Sequence, residues 1–154
     1  MEPRKIRTIQ ESNACVELYI KMNDEEFIPA NIDKSIKSFS NLVKSGAFLR
    51  ILDDEDSEIV AWLLAQKVDH PHINGMVLQQ YFYASSLKGL KAAKAVIILH
   101  RALIEEAKRL QIRYVFSLGS YLDENNTFVK ILEKDGWKRR NYAAVYDLKQ
   151  HEIL

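Results

Sequence analysis

Three lysines stand where the sequence changes from a strand-like segment to a helix-like one. The stretch YASSLKGLKAAKAV, residues 83–96, holds Lys88, Lys91 and Lys94 around a single glycine, Gly89. The first backbone N–H groups of a helix lack partners within the helix, and its N-terminus carries partial positive charge. Because cations are disfavoured there, these lysines indicate a site for a phosphate-bearing ligand, held by main-chain N–H groups and ammonium groups together.

The same region lacks acidic residues. The chain has 21 Asp and Glu residues in 154, yet none lies between His70 and Ile104. A buried strand excludes charge in any case, but the start of a helix is where Asp and Glu normally concentrate. A solvated cationic patch is the alternative interpretation. The nucleotide motifs G-x-x-x-x-G-K-[ST] and G-x-G-x-x-G are both absent from the sequence.

Composition and length describe an ordinary domain. With 47% hydrophobic residues, 28% charged residues and a net charge of +1, the chain has no overall attraction to nucleic acid or to membranes. Its 154 residues predict one domain, 1–154. The single cysteine, Cys15, excludes an internal disulfide and argues against a metal centre. Without a signal peptide or a membrane-length apolar run, we expect a cytoplasmic protein.

Hydrophobic periodicity and turn residues predict the elements that must position the lysine junction. The predicted strands are 5–10, 47–52, 59–68, 76–84, 112–119 and 137–148. The predicted helices are 13–22, 33–46, 89–110 and 124–136. Ser12 and Asp33 are the expected N-caps of the first two helices, and Gly46 and Gly136 are expected to end the second and the fourth.

The resulting order is β-α-α-β-β-β-α-β-α-β. The strand over 76–84, the long helix and the strand over 112–119 form a βαβ crossover, which requires parallel neighbours in the sheet. The hairpin over 47–68 requires antiparallel neighbours. The predicted fold class is therefore α+β, with a mixed central sheet and helices on both faces.

This order and the lysine junction together resemble the GNAT superfamily of N-acetyltransferases, its phage and bacterial members above all, over about residues 5–148. The family's diagnostic loop, Q/R-x-x-G-x-G/A, lies between the fourth strand and the third helix and cradles the pyrophosphate of acetyl-CoA. KGLKAA is similar to it in place, although lysine stands where the second glycine is usual. The resemblance implies that acetyl-CoA is bound by Lys88, Gly89, Leu90, Lys91, Ala92 and Ala93.

Two further segments are similar to the family. DSEIVAWLLAQ resembles its x-G-x-I-V-G hairpin, and NNTFVKILEKDGW resembles the segment that carries an asparagine followed by Y-E-K-x-G-F. The second match implies that Asn125 contacts the pantetheine arm of the cofactor. Leu132 stands where the family usually has the tyrosine that protonates the leaving thiolate. Either another group serves as the acid, or the protein is a weak or non-catalytic relative.

Acetyl transfer to an amine needs a polarised carbonyl, a base for the amine and an acid for the thiolate. Main-chain N–H groups of the strand over 76–84 could polarise the carbonyl, if that strand is splayed or bulged. Candidates for the base are Asp69, His70 and His72, because histidine titrates near neutrality. A polar surface turn is the alternative interpretation of DHPHING.

Tyrosines are the candidates for the acid. Tyr121 is the first choice, and Tyr142 and Tyr146 on the last strand are the others. Tyr83 is expected to form a wall of the cofactor channel, with core packing as the alternative. We expect His100 to be a buried histidine with one backbone partner and no catalytic role.

The function implied by the resemblance is an acetyl-CoA-dependent N-acyltransferase that acts by direct transfer in a ternary complex. The acceptor is a small-molecule or peptide amine, and Asp24, Glu25 and Glu26 could attract it if it is cationic. We expect no metal, no nucleic acid and no membrane partner, and a homodimer stays open. The alternatives are a catalytically degenerate GNAT-fold protein used as a CoA-binding or interaction module, and an unrelated α+β module for another anionic partner.

Overall fold

The computed structural model describes residues 1–22, 31–117, 127–140 and 143–151. The strands are β1 (Phe48–Asp53), β2 (Ile59–Asp69), β3 (Met76–Ser85), β4 (Tyr114–Ser117), β5 (Lys138–Arg140) and β6 (Ala143–Asp147). The helices are α1 (Ile9–Met22), α2 (Ile32–Lys44), α3 (Gly89–Arg109), α4 (Thr127–Lys134) and α5 (Leu148–His151). Of the helices described, none combines the length and the apolar character that crossing a bilayer requires.

The six strands form one mixed sheet in the order β1-β2-β3-β4-β6-β5. Strands β1, β2 and β3 pair antiparallel, whereas β3 and β4 pair parallel through the α3 crossover. Strand β6 lies antiparallel to both β4 and β5. The predicted α+β class with a mixed sheet is therefore confirmed.

Helices cover both faces of the sheet, as predicted. On one face, Leu99 and Leu103 of α3 and Leu132 of α4 are fully buried in a core cluster that includes Leu63 and Val115 of the sheet. On the other face, α1 and α2 contribute Cys15, Val16 and Phe39 to a second cluster around Trp62 and Leu64. At its C-terminal end, β3 is joined to α3 by a short connection, residues 86–88.

The predicted strand over 5–10 is wrong. Helix α1 already begins at Ile9, because the Thr8 hydroxyl accepts a hydrogen bond from the Glu11 N–H at 3.2 Å, so that Thr8 and not Ser12 caps the helix. The preceding segment contributes a single β-bridge, in which Arg4 and Ile51 exchange main-chain hydrogen bonds of 3.0 and 2.9 Å. Alternating polarity in KIRTIQ suggested a strand, but the T-x-x-E pattern of a capping box decides the local structure.

Two other boundaries also differ from prediction. Asn31, not Asp33, caps α2, since its side-chain oxygen accepts from the Lys34 N–H at 3.0 Å. The strand predicted over 137–148 is two antiparallel strands, β5 and β6. Gly46, with φ at +90°, follows the end of α2 as expected.

Candidate functional site

Three parallel pairs between β3 and β4 are described, and the described part of β4 ends with the third of them, at Ser117. The parallel pairs are Leu78 with Val115, Gln79 with Phe116 and Gln80 with Ser117. Strand β3 continues to Ser85, and over Tyr81–Ser85 it has no β4 partner among the described residues. Among the described residues this segment lies beside β2 only, and we call the end of the described β3–β4 pairing, at Gln80 and Ser117, the fork.

A β-bulge lies at this fork. Leu64 of β2 pairs with Phe82 and Ala65 pairs with Gln80, which leaves Tyr81 as an extra residue in β3. A bulge bends a strand and redirects its side chains. Phe82 thus packs with the α1 and α2 cluster, whereas Tyr83 packs with the α3 and α4 cluster. The bulge that carbonyl polarisation would need is present in β3.

The elbow between β3 and α3 is open. Gly89 begins the helix with φ at +59°, a conformation that favours glycine, and a Cβ placed on it would meet no atom within 4 Å. Lys88 is the N-cap but makes no side-chain capping hydrogen bond, and the first turn holds no acidic residue. Lys88, Leu90 and Lys91 are exposed, Leu90 at 72%. The first-turn N–H groups of a 21-residue helix are thus accessible to an anion.

The remaining residues of the predicted cofactor loop belong to the same turn of α3. Ala92 and Ala93 are half-buried, and Lys94 is exposed. The structure therefore brings Lys88, Gly89, Leu90, Lys91, Ala92 and Ala93 together at the fork. No residue that the structure describes occludes this turn from the glycine side.

A buried polar chain joins the last β3–β4 pair to α3. Gln80, Ser117 and His100 are each 0% exposed. The Ser117 Oγ lies 2.9 Å from the side-chain amide of Gln80 and 3.1 Å from Nε2 of His100. The His100 Nδ1 lies 2.8 Å from the Val96 carbonyl oxygen, the backbone partner that the sequence predicted. These contacts join the last described β3–β4 pair to α3.

Burial keeps His100 neutral. It lowers the pKa of the imidazole to about 4, since a charged ring would be desolvated there. A neutral ring carries one N–H, which Nδ1 donates to the Val96 carbonyl oxygen, while the one Ser117 hydroxyl proton is donated to Oε1 of Gln80. Sequence reasoning missed Gln80 and Ser117. Two polar residues at inward positions of apolar strands were the signal available.

The Tyr83 hydroxyl is buried and makes no hydrogen bond of good geometry to a described residue. Its ring packs edge-on against Phe128 of α4, with 5.1 Å between centroids, and lies 6.1 Å from the His100 ring. Burial raises the pKa of the Tyr83 phenol well above its usual range, which the Ser85 hydroxyl only partly offsets. Leu132, one turn after Phe128, is fully buried in the same cluster.

The two histidine candidates lie close together. The His70 ring stacks on the Phe116 ring of β4, with 5.3 Å between centroids. The centroid of the His72 ring lies 6.0 Å from that of His70. Phe116 alternates with Val115 and Ser117, so His70 occupies the sheet face opposite α3. The His72 N–H donates to Nδ1 of His70 at 3.2 Å. That bond occupies the ring lone pair of a neutral His70 and makes its Nε2 a donor.

The remaining candidate residues are not part of this arrangement of described residues. Tyr121, Asn125, Tyr142, Asp24, Glu25 and Glu26 fall outside the described residues. Tyr146 stacks on the His151 ring at 4.4 Å and contacts Trp137, so it takes part in packing between β6 and α5. Within the described ranges, no three His, Cys, Asp or Glu side chains are grouped to hold a metal ion.

Neither the models of known protein families nor the curated proteins match this sequence. Solved structures match the fold over nearly the whole chain. An N-acetyltransferase from Staphylococcus aureus Mu50 superposes with a TM-score of 0.70 at 15% identity, covering 96% of this chain and 99% of that one. A ribosomal-protein-alanine N-acetyltransferase from Brucella melitensis gives 0.67 at 13% identity, with 96% and 99% covered.

The NatC complex bound to Gag peptide and CoA contains a chain of the same fold. That chain matches with a TM-score of 0.64 at 14% identity, and the match covers 96% of this chain and 99% of that one. The chain has the GNAT acetyltransferase fold, as its resemblance to that superfamily implied.

Proposed function

We propose that the protein is an acetyl-CoA-dependent N-acyltransferase that transfers an acetyl group directly to a primary amine. The observation that carries this proposal is the open, acid-free elbow through which the chain passes from β3 into α3. Main-chain N–H groups of the first turn would bind the pyrophosphate, with Lys88 and Lys91 beside it. A complex that contains a chain of the same fold has been solved bound to CoA, which supports this choice of ligand.

The edge of β3 that has no described partner suits the pantetheine arm of acetyl-CoA. An extended pantetheine arm can hydrogen-bond to Tyr81–Ser85 as a strand would. Main-chain N–H groups at the Tyr81 bulge would then polarise the thioester carbonyl, because a bulge turns backbone groups out of the regular ladder.

The reaction needs no redox step. The amine nitrogen donates its lone pair to the thioester carbonyl carbon, and the carbon–sulfur bond breaks with its electron pair leaving on sulfur. The nitrogen loses one proton to a base, and the sulfur gains one from an acid. The products are an N-acetyl amine and the thiol of CoA.

The histidine pair would serve the amine side. Since His70 Nδ1 accepts the His72 N–H, His70 is a donor in this arrangement, and the proposed base is His72 or a water molecule next to it. His72 is exposed, so it can pass a proton on to water.

For the thiolate side, we propose Tyr83 in place of Leu132. Leu132 carries no exchangeable proton and is enclosed in the core. The Tyr83 phenol lies against the same helix, α4, and its buried hydroxyl makes no hydrogen bond of good geometry to a described residue. Burial raises the pKa of a thiol as well, as it does for Cys15 to about 12, so a dry site does not by itself favour the thiolate over the phenolate.

A melting experiment tests donor binding. Acetyl-CoA at about 100 times its Kd should add roughly 2.7 kcal/mol to the free energy of unfolding, which raises Tm by about 5–10 °C in a protein of this size. The absence of any shift with CoA or acetyl-CoA would overturn the proposal. Binding without thiol release, across a panel of amines, would favour the degenerate module that Leu132 also suggests.

The elbow is tested by the double variant Lys88→Ala/Lys91→Ala. Because an exposed ion pair contributes about 0.5–1 kcal/mol, loss of both should raise the Kd for CoA about 10-fold, measured by calorimetry. The matched control is Lys37→Ala/Lys44→Ala, which removes two exposed lysines from α2. Equal affinity of the two double variants would refute the assignment of the elbow.

A further inference from the structure

A cavity of about 240 Å³ lies between α1 and α2, over β2 and β3. Four aromatic rings surround it, from Tyr19, Phe39, Trp62 and Phe82. A cavity of about 150 Å³ with similar walls is large enough for benzene. This one therefore has room for an aromatic ring with a short chain attached.

The aromatic walls are held in place before any ligand arrives. Tyr19 packs edge-on against Phe82 at 5.4 Å, and Phe39 packs edge-on against Trp62 at 5.1 Å. The Trp62 indole N–H donates to the Cys15 carbonyl oxygen at 2.8 Å, so the indole turns its apolar surface to the cavity. A preformed apolar pocket loses little conformational entropy on binding.

Apart from the tyrosine and tryptophan rings, the polar side chains among the described lining residues all come from α2. They are Lys34, Ser35 and Ser38, and no carboxylate is among these described residues. In the part of the chain that the structure describes, Lys34 forms no ion pair. An ammonium group and two hydroxyls favour an anionic group on the ligand and disfavour a polycation.

The cavity is next to the proposed reaction centre. Phe82, one of its walls, directly follows the bulge residue Tyr81. Because Phe82 faces away from α3, a ligand in the cavity approaches the bulge from the side opposite the buried Gln80–Ser117–His100 chain. A donor at the fork and an acceptor in this cavity would thus meet at β3.

From these features we infer the class of acceptor, an inference that depends on the proposed function. The acceptor is a primary amine that combines an aromatic or bulky apolar body with an anionic group, of which an aromatic α-amino acid is the simplest example. The ring occupies the aromatic cavity and the carboxylate faces Lys34. The amine nitrogen attacks the thioester carbonyl carbon, loses one proton and becomes the N-acetyl product, while the sulfur leaves and is protonated to the thiol.

Fluorescence of Trp62 reports on the cavity without acetyl-CoA. The chain has two tryptophans, so Trp137→Phe leaves Trp62 as the sole tryptophan. In that background, L-phenylalanine should change the emission at about 10-fold lower concentration than phenethylamine, which lacks the carboxylate. Spermidine should cause no change. Ser38→Phe, which places a ring at the cavity wall, should abolish the response.

A matched pair of charge reversals tests the anionic group. Lys34→Glu should remove the preference for L-phenylalanine over phenethylamine, whereas Lys37→Glu, on the same helix but outside the cavity, should retain it. In each variant, thiol release from saturating acetyl-CoA should show the same preference between the two amines as the fluorescence response does. Equal responses to the two amines in the unreversed protein would overturn the anionic requirement.

Failure of this inference is distinguishable from failure of the proposed function. If acetyl-CoA raises Tm and spermidine is acetylated while L-phenylalanine is not, the acceptor class is wrong and the transferase stands. If acetyl-CoA causes no shift in Tm, the transferase is wrong, and an unchanged Trp62 emission with L-phenylalanine then also rejects the cavity as a site for such ligands.

Discussion

Replacing Tyr83 by phenylalanine is expected to lower kcat by about 100-fold or more, because general acid catalysis typically contributes 10²–10⁴-fold. The substitution removes one buried oxygen and keeps the ring, so the packing against Phe128 is retained. The acetyl-CoA-dependent shift in Tm should be unchanged, since the elbow residues are untouched. The measurement is steady-state release of CoA thiol at saturating amine.

The same substitution should stabilise the unliganded protein. The Tyr83 hydroxyl is buried without a hydrogen bond of good geometry to a described residue, and removal of such a group relieves a desolvation penalty of about 1 kcal/mol or more. A variant that is more stable but less active would show that the hydroxyl is kept for chemistry rather than for packing.

Tyr146→Phe is the control for this experiment. Tyr146 is half-buried, and its ring packs on His151. Loss of its hydroxyl should leave kcat within about 2-fold of the unsubstituted enzyme, as is usual for residues away from the reacting atoms. If Tyr83→Phe also retains kcat, Tyr83 is a packing residue and the proton comes from another group.

The second large effect is the dependence of stability on pH that His100 should cause. Burial lowers the pKa of His100 in the folded protein to about 4, against 6.5 for an unperturbed histidine. Between these values the unfolded chain binds a proton that the folded chain does not, so stability falls as pH decreases. From pH 7 to pH 5 the expected loss from this group is about 2 kcal/mol, rising to about 3 kcal/mol near pH 4.

Titration of the carboxylates named below does not mask the effect of His100 on stability between pH 7 and pH 5. Hydrogen bonds from Arg4, Arg109 and Arg113 lower the pKa values of Glu11, Glu106 and Asp147, respectively, below their ordinary range. Their contribution to stability is therefore present above about pH 4.5 and is lost only at lower pH. Between pH 7 and pH 5, the buried imidazole dominates the slope.

Urea unfolding at several pH values measures the effect. His100→Gln should be less stable at pH 7, because it disturbs the contact with Ser117, but its stability should change by less than about 1 kcal/mol between pH 7 and pH 5. His72→Gln, which removes an exposed histidine, should keep the full dependence. A full dependence in His100→Gln as well would show that another group is responsible.

The local sequence was sufficient to predict most of the helices and strands, and the elbow between β3 and α3. The hairpin, the long helix and the crossover follow from hydrophobic periodicity, which is a property of neighbouring residues. Gly89, the flanking lysines and the absence of acids are adjacent in the chain, so the proposed anion site could be predicted before the fold was known. Errors arose where two local signals competed, as in KIRTIQ, where a helix cap outweighs an alternating pattern.

The tertiary structure decided everything that depends on pairing between distant segments. The bulge at Tyr81 exists only in the register of β3 against β2, and it determines that Tyr83 faces α4 while Phe82 faces α1. The chain of Gln80, Ser117 and His100 and the aromatic cavity unite residues from separate elements. Side-chain direction and burial arise from such long-range contacts, and a one-residue change of register reverses them, which no local pattern encodes.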